Sequence, residues 1–351
     1  MRVVIVAEQP RRRVPGGIGT YLRGLLGGLK ELGSESLEGP EVELSSSRLP
    51  PWAVVRVWDA GLGGPRAADC VHAPSFAIPP SGNAPLSVMV HDLGWRHLPQ
   101  AYPARGRRWH EKALQRALAR AAILMVPSAD TADDLLAAGA PASRVEVVPE
   151  GADHLPPADD EGAAELLRLL SVEGDYLLTV STLEPRKNLA RLLAAFESAR
   201  TQLGHSWRLV VVGPTGWGDA GVARTAPGSG VVLAGHVSDT VLSGLYARAR
   251  LMAYVPLKEG FGLPVLEAMR AGAPVIASPV PSAGDATLQV DPTDVDSIAT
   301  AIVAGAMDDG VRDHLIGAGR ERAAAFTWRR AAERHVELWR DMYDGRARPN
   351  P

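Results

Sequence analysis

Short β-branched runs alternate with longer segments of helical period along this chain, and the alternation stops once and then restarts. Parallel sheets covered on both faces carry this pattern, because each strand is buried on both sides while each crossover helix shows one apolar stripe. Strands are predicted near Arg2 to Ala7, Leu86 to His91, Ile123 to Val126 and Val145 to Val148. Helices are predicted over Ile18 to Leu32, Gly106 to Arg120 and Ala129 to Ala138, the last after Ser128, a good N-cap residue. The stretch Ser34 to Pro85 is rich in Pro, Gly and Ser and does not decide between strand and loop.

The break is GADHLPPADDEG, Gly151 to Gly162, whose prolines and acids suit a linker. Beyond it strands are predicted near Tyr176 to Val180, Arg208 to Val212, Val231 to Ala234, Leu251 to Val255 and Pro274 to Ala277. The expected fold class is α/β with two Rossmann-like domains, residues 1–155 and 165–327. A last helix, 328–345, carries Trp328, Val336, Leu338, Trp339 and Met342 and is expected to pack back on the first domain.

With 46% hydrophobic and 22% charged residues, each half can bury an ordinary core. The net charge of -3 gives no reason to expect nucleic acid as a partner. One cysteine, Cys70, excludes an intrachain disulfide and a cysteine-rich zinc site, and reads as a small buried apolar residue. The opening MRVVIVAEQP has neither the long apolar stretch nor the cleavage site of a signal peptide, and no run is long enough to span a membrane, so a cytoplasmic location is expected. Two basic clusters, Arg11 to Arg13 and Arg105, Arg107 and Arg108, offer peripheral contact with anionic lipid or an acidic acceptor; a plain solvated surface explains them as well.

Four places hold candidate chemistry. PGGIGTYLRGLL, from Pro15 to Leu26, sets glycines before a helix, where bare N–H groups can approach an anion, although a tight turn is an equal reading. Its spacing is not that of a dinucleotide fingerprint. In STLEPRKNLARLLAAF, Arg186 and Lys187 follow a strand and precede a helix near Asn188. Cations there oppose the helix dipole, which favours a phosphate ligand over a bare surface pair. PLKEGFGLPVLEAMRAGAPVIAS, from Pro256 to Ser278, puts Glu259 and Glu267 on either side of a glycine-flanked turn, with Pro264 as first helical residue and Glu267 in the first turn. The two carboxylates can accept from vicinal hydroxyls, or serve only as a wet loop residue and a helix-dipole partner. In VMVHDLGW, His91 ends a predicted central strand, where ligand groups gather, and Asp92 can orient it or meet an acceptor. The pairs Asp133 with Asp134, Asp159 with Asp160 and Asp308 with Asp309 read as surface. No metal-ligand cluster, P-loop or G-x-S-x-G elbow is present, so no protein-held metal and no cofactor is expected.

In order and spacing, GGIGTYL, VHDLGW, VPSADTADDLL, VEVVPEGAD, EPRKNL and EGFGLPVLEAM resemble the retaining GT-B glycosyltransferases of group 1, which include bacterial mannosyltransferases. The likeness covers nearly the whole chain, and EPRKN followed about seventy residues later by EGFGLPVLEAM is its specific part. It implies two domains facing across a cleft that holds a donor such as GDP-mannose or a UDP-sugar. It implies a diphosphate clamp in Arg186 and Lys187, a ribose ligand in Glu267, and donor-sugar contacts in Glu259 with Gly260, Phe261, Gly262 and Leu263. Gly17 matches a glycine that approaches the donor phosphate, and His91 a histidine near the transferred sugar. The implied reaction is metal-independent transfer with retention, by front-face attack, to a saccharide, lipid-linked or small-molecule acceptor. Two departures stand out: the stretch after Ser278 is short and lacks the family's Pro-Glu step, and Glu150 replaces the commoner Asn of VVPEGAD.

A nucleotide-sugar 2-epimerase and a non-catalytic binding subunit are the rival readings. EPRKN with EGFGLPVLEAM speaks against the first, and survival of Arg186, Lys187, Glu259 and Glu267 against the second.

Overall fold

The computed structural model describes residues 1–8, 16–35, 39–45, 47, 49–65, 67–217 and 228–346; Arg11, Arg12, Arg13 and Pro15 lie outside the described residues. The chain divides into two compact units, one formed by Met1–His154 with Thr327–Pro351 and the other by Leu155–Phe326.

In the first unit the order is β1 (Arg2–Val6), α1 (Gly16–Glu35), β2 (Glu41–Ser45), α2 (Pro51–Asp59), β3 (Cys70–Ala73), β4 (Leu86–Met89), α3 (Gly94–His97), α4 (Ala104–Arg120), β5 (Ile123–Val126), α5 (Ala129–Ala137) and β6 (Val145–Val147). The strands form one six-stranded parallel sheet in the order β2-β1-β3-β4-β5-β6. Its two faces separate by residue parity, as the pleat requires. Val3, Ile5, Met89, Ile123 and Met125 join a core with α1, while Val6, Val88, Leu124 and Val126 join another with residues of α2, α4 and α5. Within the stretch left undecided by sequence lie β2, α2 and β3. β2 is an edge strand with no buried residue, and β3 is a fully buried four-residue strand that contains a histidine, so neither shows a strong apolar run.

The second unit runs α6 (Asp160–Leu169), β7 (Tyr176–Val180), α7 (Leu189–Leu203), β8 (Arg208–Val212), β9 (Val231–Gly235), α8 (Asp239–Arg248), β10 (Leu251–Tyr254), α9 (Leu263–Ala271), β11 (Val275–Ala277), β12 (Leu288–Gln289), α10 (Val295–Met307) and α11 (Asp309–Ala324). Its six-stranded parallel sheet has the order β12-β11-β10-β7-β8-β9. The chain leaves β7 toward β8 and returns on the other side at β10. The order therefore reverses between β7 and β10, and the crevice at the carboxyl ends of those two strands is where such sheets bind ligands.

The final helix, α12 (Trp328–Tyr343), belongs to the first unit and packs along α1. Contact is close because α1 carries glycine at two successive turns. A Cβ on Gly24 would stand 2.0 Å from the Trp328 ring, and one on Gly28 would stand 2.2 Å from the Trp328 carbonyl oxygen.

A buried polar chain ties the same elements together. Trp339 Nε1 donates to Ser87 Oγ at 3.1 Å, and Ser87 Oγ lies 2.9 Å from His72 Nδ1. His72 Nε2 lies 2.9 Å from Tyr21 Oη, which lies 2.7 Å from His335 Nε2, and His335 Nδ1 lies 2.7 Å from the Ala331 carbonyl. That carbonyl can only accept, so neutral His335 donates from Nδ1 and accepts from Tyr21, and the remaining protons follow in one direction with every group paired. Burial keeps both imidazoles neutral, pulling His335 down to about 4 and His72 well below its ordinary value.

Candidate active site

A buried cluster of charged side chains in the second unit sits in the crevice between β7 and β10. After β7 the chain makes a short turn, Pro185–Lys187, then passes through Asn188 at φ 61° into α7. Asn188 Nδ2 donates to the carbonyls of Val255 at 3.0 Å and Pro292 at 2.7 Å, and Leu257 N donates to Arg186 O at 2.9 Å. The loops that follow the two neighbouring strands are thereby fastened together.

That fastening brings the predicted cations onto one predicted carboxylate. Arg186 Nη1 donates to Glu259 Oε1 at 2.8 Å, Lys187 Nζ donates to the same oxygen, and Lys187 Nζ also donates to Tyr254 Oη at 2.9 Å. Below them Glu184 Oε1 lies 2.5 Å from Arg186 Nε as a charge contact. The side chains of Arg186 and Lys187 are 15% and 11% exposed, so both are held in the crevice rather than in open solvent. Burial, with Arg186 beside it, pulls the Lys187 ammonium below its ordinary value against Glu259 and Glu184. Burial likewise pushes the Glu184 carboxyl up, against the two cations. Two cations over two carboxylates in a partly dry crevice form a site whose Coulomb energy changes strongly when an anionic ligand enters. Glu184, Asn188 and Tyr254 were not singled out from sequence. Glu184 and Asn188 stand inside EPRKN itself, and Tyr254 ends the strand before the glycine loop.

Gly262 adopts φ 101° at the start of α9, where a Cβ would meet Ser282 Oγ at 2.9 Å and Val280 at 3.2 Å. Ser282 returns a hydrogen bond to each neighbour of that turn, from N to Phe261 O at 3.0 Å and from Oγ to Gly262 O at 2.9 Å. The short segment after Ser278 therefore braces the EGFG turn. Gly260, Phe261 and Leu263 are buried around it.

Helix α9 begins at Leu263, which makes Pro264 its second residue and moves Glu267 out of the first turn. Glu267 is accordingly not a helix-dipole partner at the end of the helix. It is 8% exposed and accepts from Tyr246 Oη at 2.9 Å.

In the first unit Gly17 is an exposed residue of the first turn of α1. His91 follows β4 and is held by Glu150 and the Pro74 carbonyl, with the charge of Asp92 nearby. Asp92 Oδ1 accepts from Gly94 N at 2.8 Å, starting α3. Of the surface acids, Asp159 and Asp308 cap α6 and α11, Asp134 lies 2.8 Å from His97 Nε2, and Asp309 pairs with Arg250 at 2.7 Å. Among the described residues, no three His, Cys, Asp or Glu side chains are placed to hold a metal ion, and no helix is long and apolar enough to cross a membrane.

Comparisons with known proteins agree with this architecture. A family model described as glycosyl transferases group 1 matches residues 174–308, and one described as glycosyltransferase family 4 matches residues 40–154. The chain is similar to O-antigen chain mannosyltransferase B of Escherichia coli, with 30% identity over 280 residues that take in 77% of this chain and 73% of that one. It is also similar to the MMP alpha-(1->4)-mannosyltransferase of Mycolicibacterium hassiacum, 29% identical over 246 residues, 66% of this chain and 58% of that one. Among solved structures, sucrose-phosphate synthase of Thermosynechococcus elongatus superposes with a TM-score of 0.75 at 20% identity, covering 98% of this chain and 100% of that one. Two parallel six-stranded sheets, two glycosyltransferase family matches and a mannosyltransferase relative spanning most of both chains place this protein among the group 1 glycosyltransferases of GT-B fold.

Proposed function

We propose that this glycosyltransferase moves a hexosyl group, mannosyl in the favoured case, from a nucleoside-diphosphate sugar to a hydroxyl acceptor with retention of anomeric configuration. The observation that carries the reading is the convergence of Arg186 and Lys187 on Glu259 in the crevice between β7 and β10. A diphosphate placed there meets a fork of donors from Arg186 and a compact charge from Lys187, and the same charges stabilise it as it departs. Neutralisation of the phosphates is assigned to these side chains, with no metal ion or other cofactor. Glu259 and the backbone of Gly260 to Gly262 take the sugar, and buried Glu267 takes the ribose hydroxyls. The bond from the anomeric carbon to the phosphate oxygen breaks, the acceptor oxygen bonds to that carbon on the same face, and the acceptor proton passes to the leaving phosphate. The mannosyltransferase relatives support mannose and a saccharide acceptor; lipid-linked and small hydroxyl acceptors fit the same chemistry.

The test is calorimetry with GDP-mannose, UDP-glucose, GDP and UDP on the wild type and on Arg186→Ala and Lys187→Ala, with product configuration read by NMR. Selective donor binding in the wild type, lost in both folded variants, is the expected result. Undiminished affinity in the variants removes the diphosphate assignment, and an inverted product removes retention.

A further inference from the structure

Both ring nitrogens of His91 face acceptors. Nδ1 lies 2.8 Å from Glu150 Oε1 and Nε2 lies 2.9 Å from the Pro74 carbonyl oxygen. A neutral imidazole has one N–H and one lone pair, so either tautomer would set a lone pair against one of these oxygens. Against a carboxylate at Glu150, only the doubly protonated ring satisfies both contacts. The three residues follow β4, β6 and β3, so the carboxyl edge of the first sheet builds the arrangement.

The groups around the ring agree. Glu150 is 4% exposed, and Asp92, on the loop of His91 itself, adds a second negative charge. From α1 the Tyr21 ring meets His91 edge-on, with centroids 5.0 Å apart, and burial keeps its phenol protonated. From β3 the neutral His72 stands behind Tyr21, and from α12 so does His335. Burial works against charge on His91, but the Glu150 hydrogen bond and charge, the Pro74 carbonyl and Asp92 together raise it above its ordinary value.

We propose that Glu150 is a positioning residue that, with the Pro74 carbonyl, fixes His91 as a hydrogen-bond-donating cation, so that His91 serves the transfer by donating to a substrate oxygen and not by removing the acceptor proton. The two contacts are unequal. Nδ1–H is held by a carboxylate through a charge-assisted bond, whereas Nε2–H is held by a neutral peptide oxygen. Nε2–H is therefore the donor that a sugar hydroxyl or phosphate oxygen can take over, while Nδ1–H stays locked on Glu150. The ring keeps both protons through the reaction. The sequence marked Glu150 only as a departure from Asn, and an amide there would leave the imidazole uncharged or far less firmly charged.

The inference rests on the glycosyl-transfer reading for its role but not for its measurement. The full chain labelled with ¹⁵N in its histidine rings is titrated by NMR, as wild type, Glu150→Gln and Glu150→Asp. Wild-type His91 is expected to hold two N–H protons at pH 7, and the Gln variant to titrate at least ~1 pH unit lower, the scale of losing one close opposite charge. The Asp variant, which keeps the charge, restores part of that shift. In the wild type, transfer from a mannosyl donor falls on the alkaline side as His91 loses its proton, and that limb moves down by the same amount in the Gln variant. A purely structural Glu150 would lower thermal stability and leave the His91 midpoint in place. A single N–H on wild-type His91 at pH 7, an unmoved midpoint in the folded Gln variant, or a rate that rises as His91 deprotonates overturns the proposal. Absence of transfer from every nucleotide sugar would sink the functional reading and leave the titration standing.

Discussion

Arg186 Nη1 lies 2.8 Å from Glu259 Oε1, so this cation is already compensated by a side chain of its own unit before any donor arrives. Lys187 shares the same oxygen. An incoming diphosphate must compete with Glu259 for both. Replacing Glu259 by Gln removes the competitor and also the sugar contact proposed above, and the two effects fall on different measurements. Calorimetry with bare GDP or UDP is expected to show affinity stronger by up to ~10-fold, about 1.4 kcal/mol. Initial-rate assays with the nucleotide sugar are expected to show turnover reduced by about 100-fold or more. Weaker nucleotide binding in the variant would show that Glu259 arranges the cations rather than competing for them.

Glu267 is 8% exposed and accepts from Tyr246 Oη, and the proposed ribose role makes a direct prediction. Wild type is expected to bind a ribonucleoside diphosphate more tightly than its 2′,3′-dideoxy analogue, and Glu267→Ala to bind the two alike. Tyr246→Phe removes one hydrogen bond and is expected to cost stability of about 1 kcal/mol while retaining the discrimination. Preserved discrimination in Glu267→Ala would move the ribose elsewhere.

Helix propensity and packing give opposite signs at Gly28. Alanine in an exposed helix is favoured over glycine by about 1 kcal/mol, but here a Cβ would stand 2.2 Å from the Trp328 carbonyl. The neighbour is backbone and cannot rotate away, so Gly28→Ala is expected to destabilise by about 1–3 kcal/mol, read as a lower urea midpoint. A raised midpoint would mean that α1 and α12 are not in this contact in solution.

His335 titrates at about 4 when folded, below its ordinary value. Between that ordinary value and about pH 4 the unfolded chain binds the proton and the folded one does not, so stability falls as pH drops through this window and levels below it. The loss from His335 alone is about 3 kcal/mol in order of magnitude, and His72 acts in the same direction. Urea unfolding at pH 7 and pH 4.5 measures it. His335→Asn, which removes the titration, is expected to flatten the dependence even if it lowers stability at pH 7.

The strands that carry the site were legible because they are short apolar runs. Leu177, Leu178 and Val180 in β7, and Leu251 and Met252 in β10, announce buried strands, and the parallel α/β class follows from their alternation with helices. β3 was not legible, since His72 sits in its four residues and is tolerated only because Tyr21 and Ser87 satisfy it from elsewhere in the chain. The start of α9 was misplaced by one residue at Pro264, and that slip is enough to change which turn carries Glu267. Glu150 was visible as an unusual residue, but its partner lies 59 positions away, and no local period joins them. Glu184 was hidden for the opposite reason: it stands two residues from Arg186 in sequence, and only its burial shows that it faces the cation.

The first unit is assembled from two segments that flank Leu155–Phe326 in sequence. During synthesis the ribosome must release all of Leu155–Phe326 before α12 is available to cover α1. The nascent amino-terminal portion therefore waits with Tyr21, Leu22 and Leu25 unsheltered while the middle of the polypeptide folds. A stop codon just upstream of Trp328 would leave that waiting surface permanently uncovered, so fragments ending there should precipitate or recruit chaperones, while the excised central piece should express cleanly.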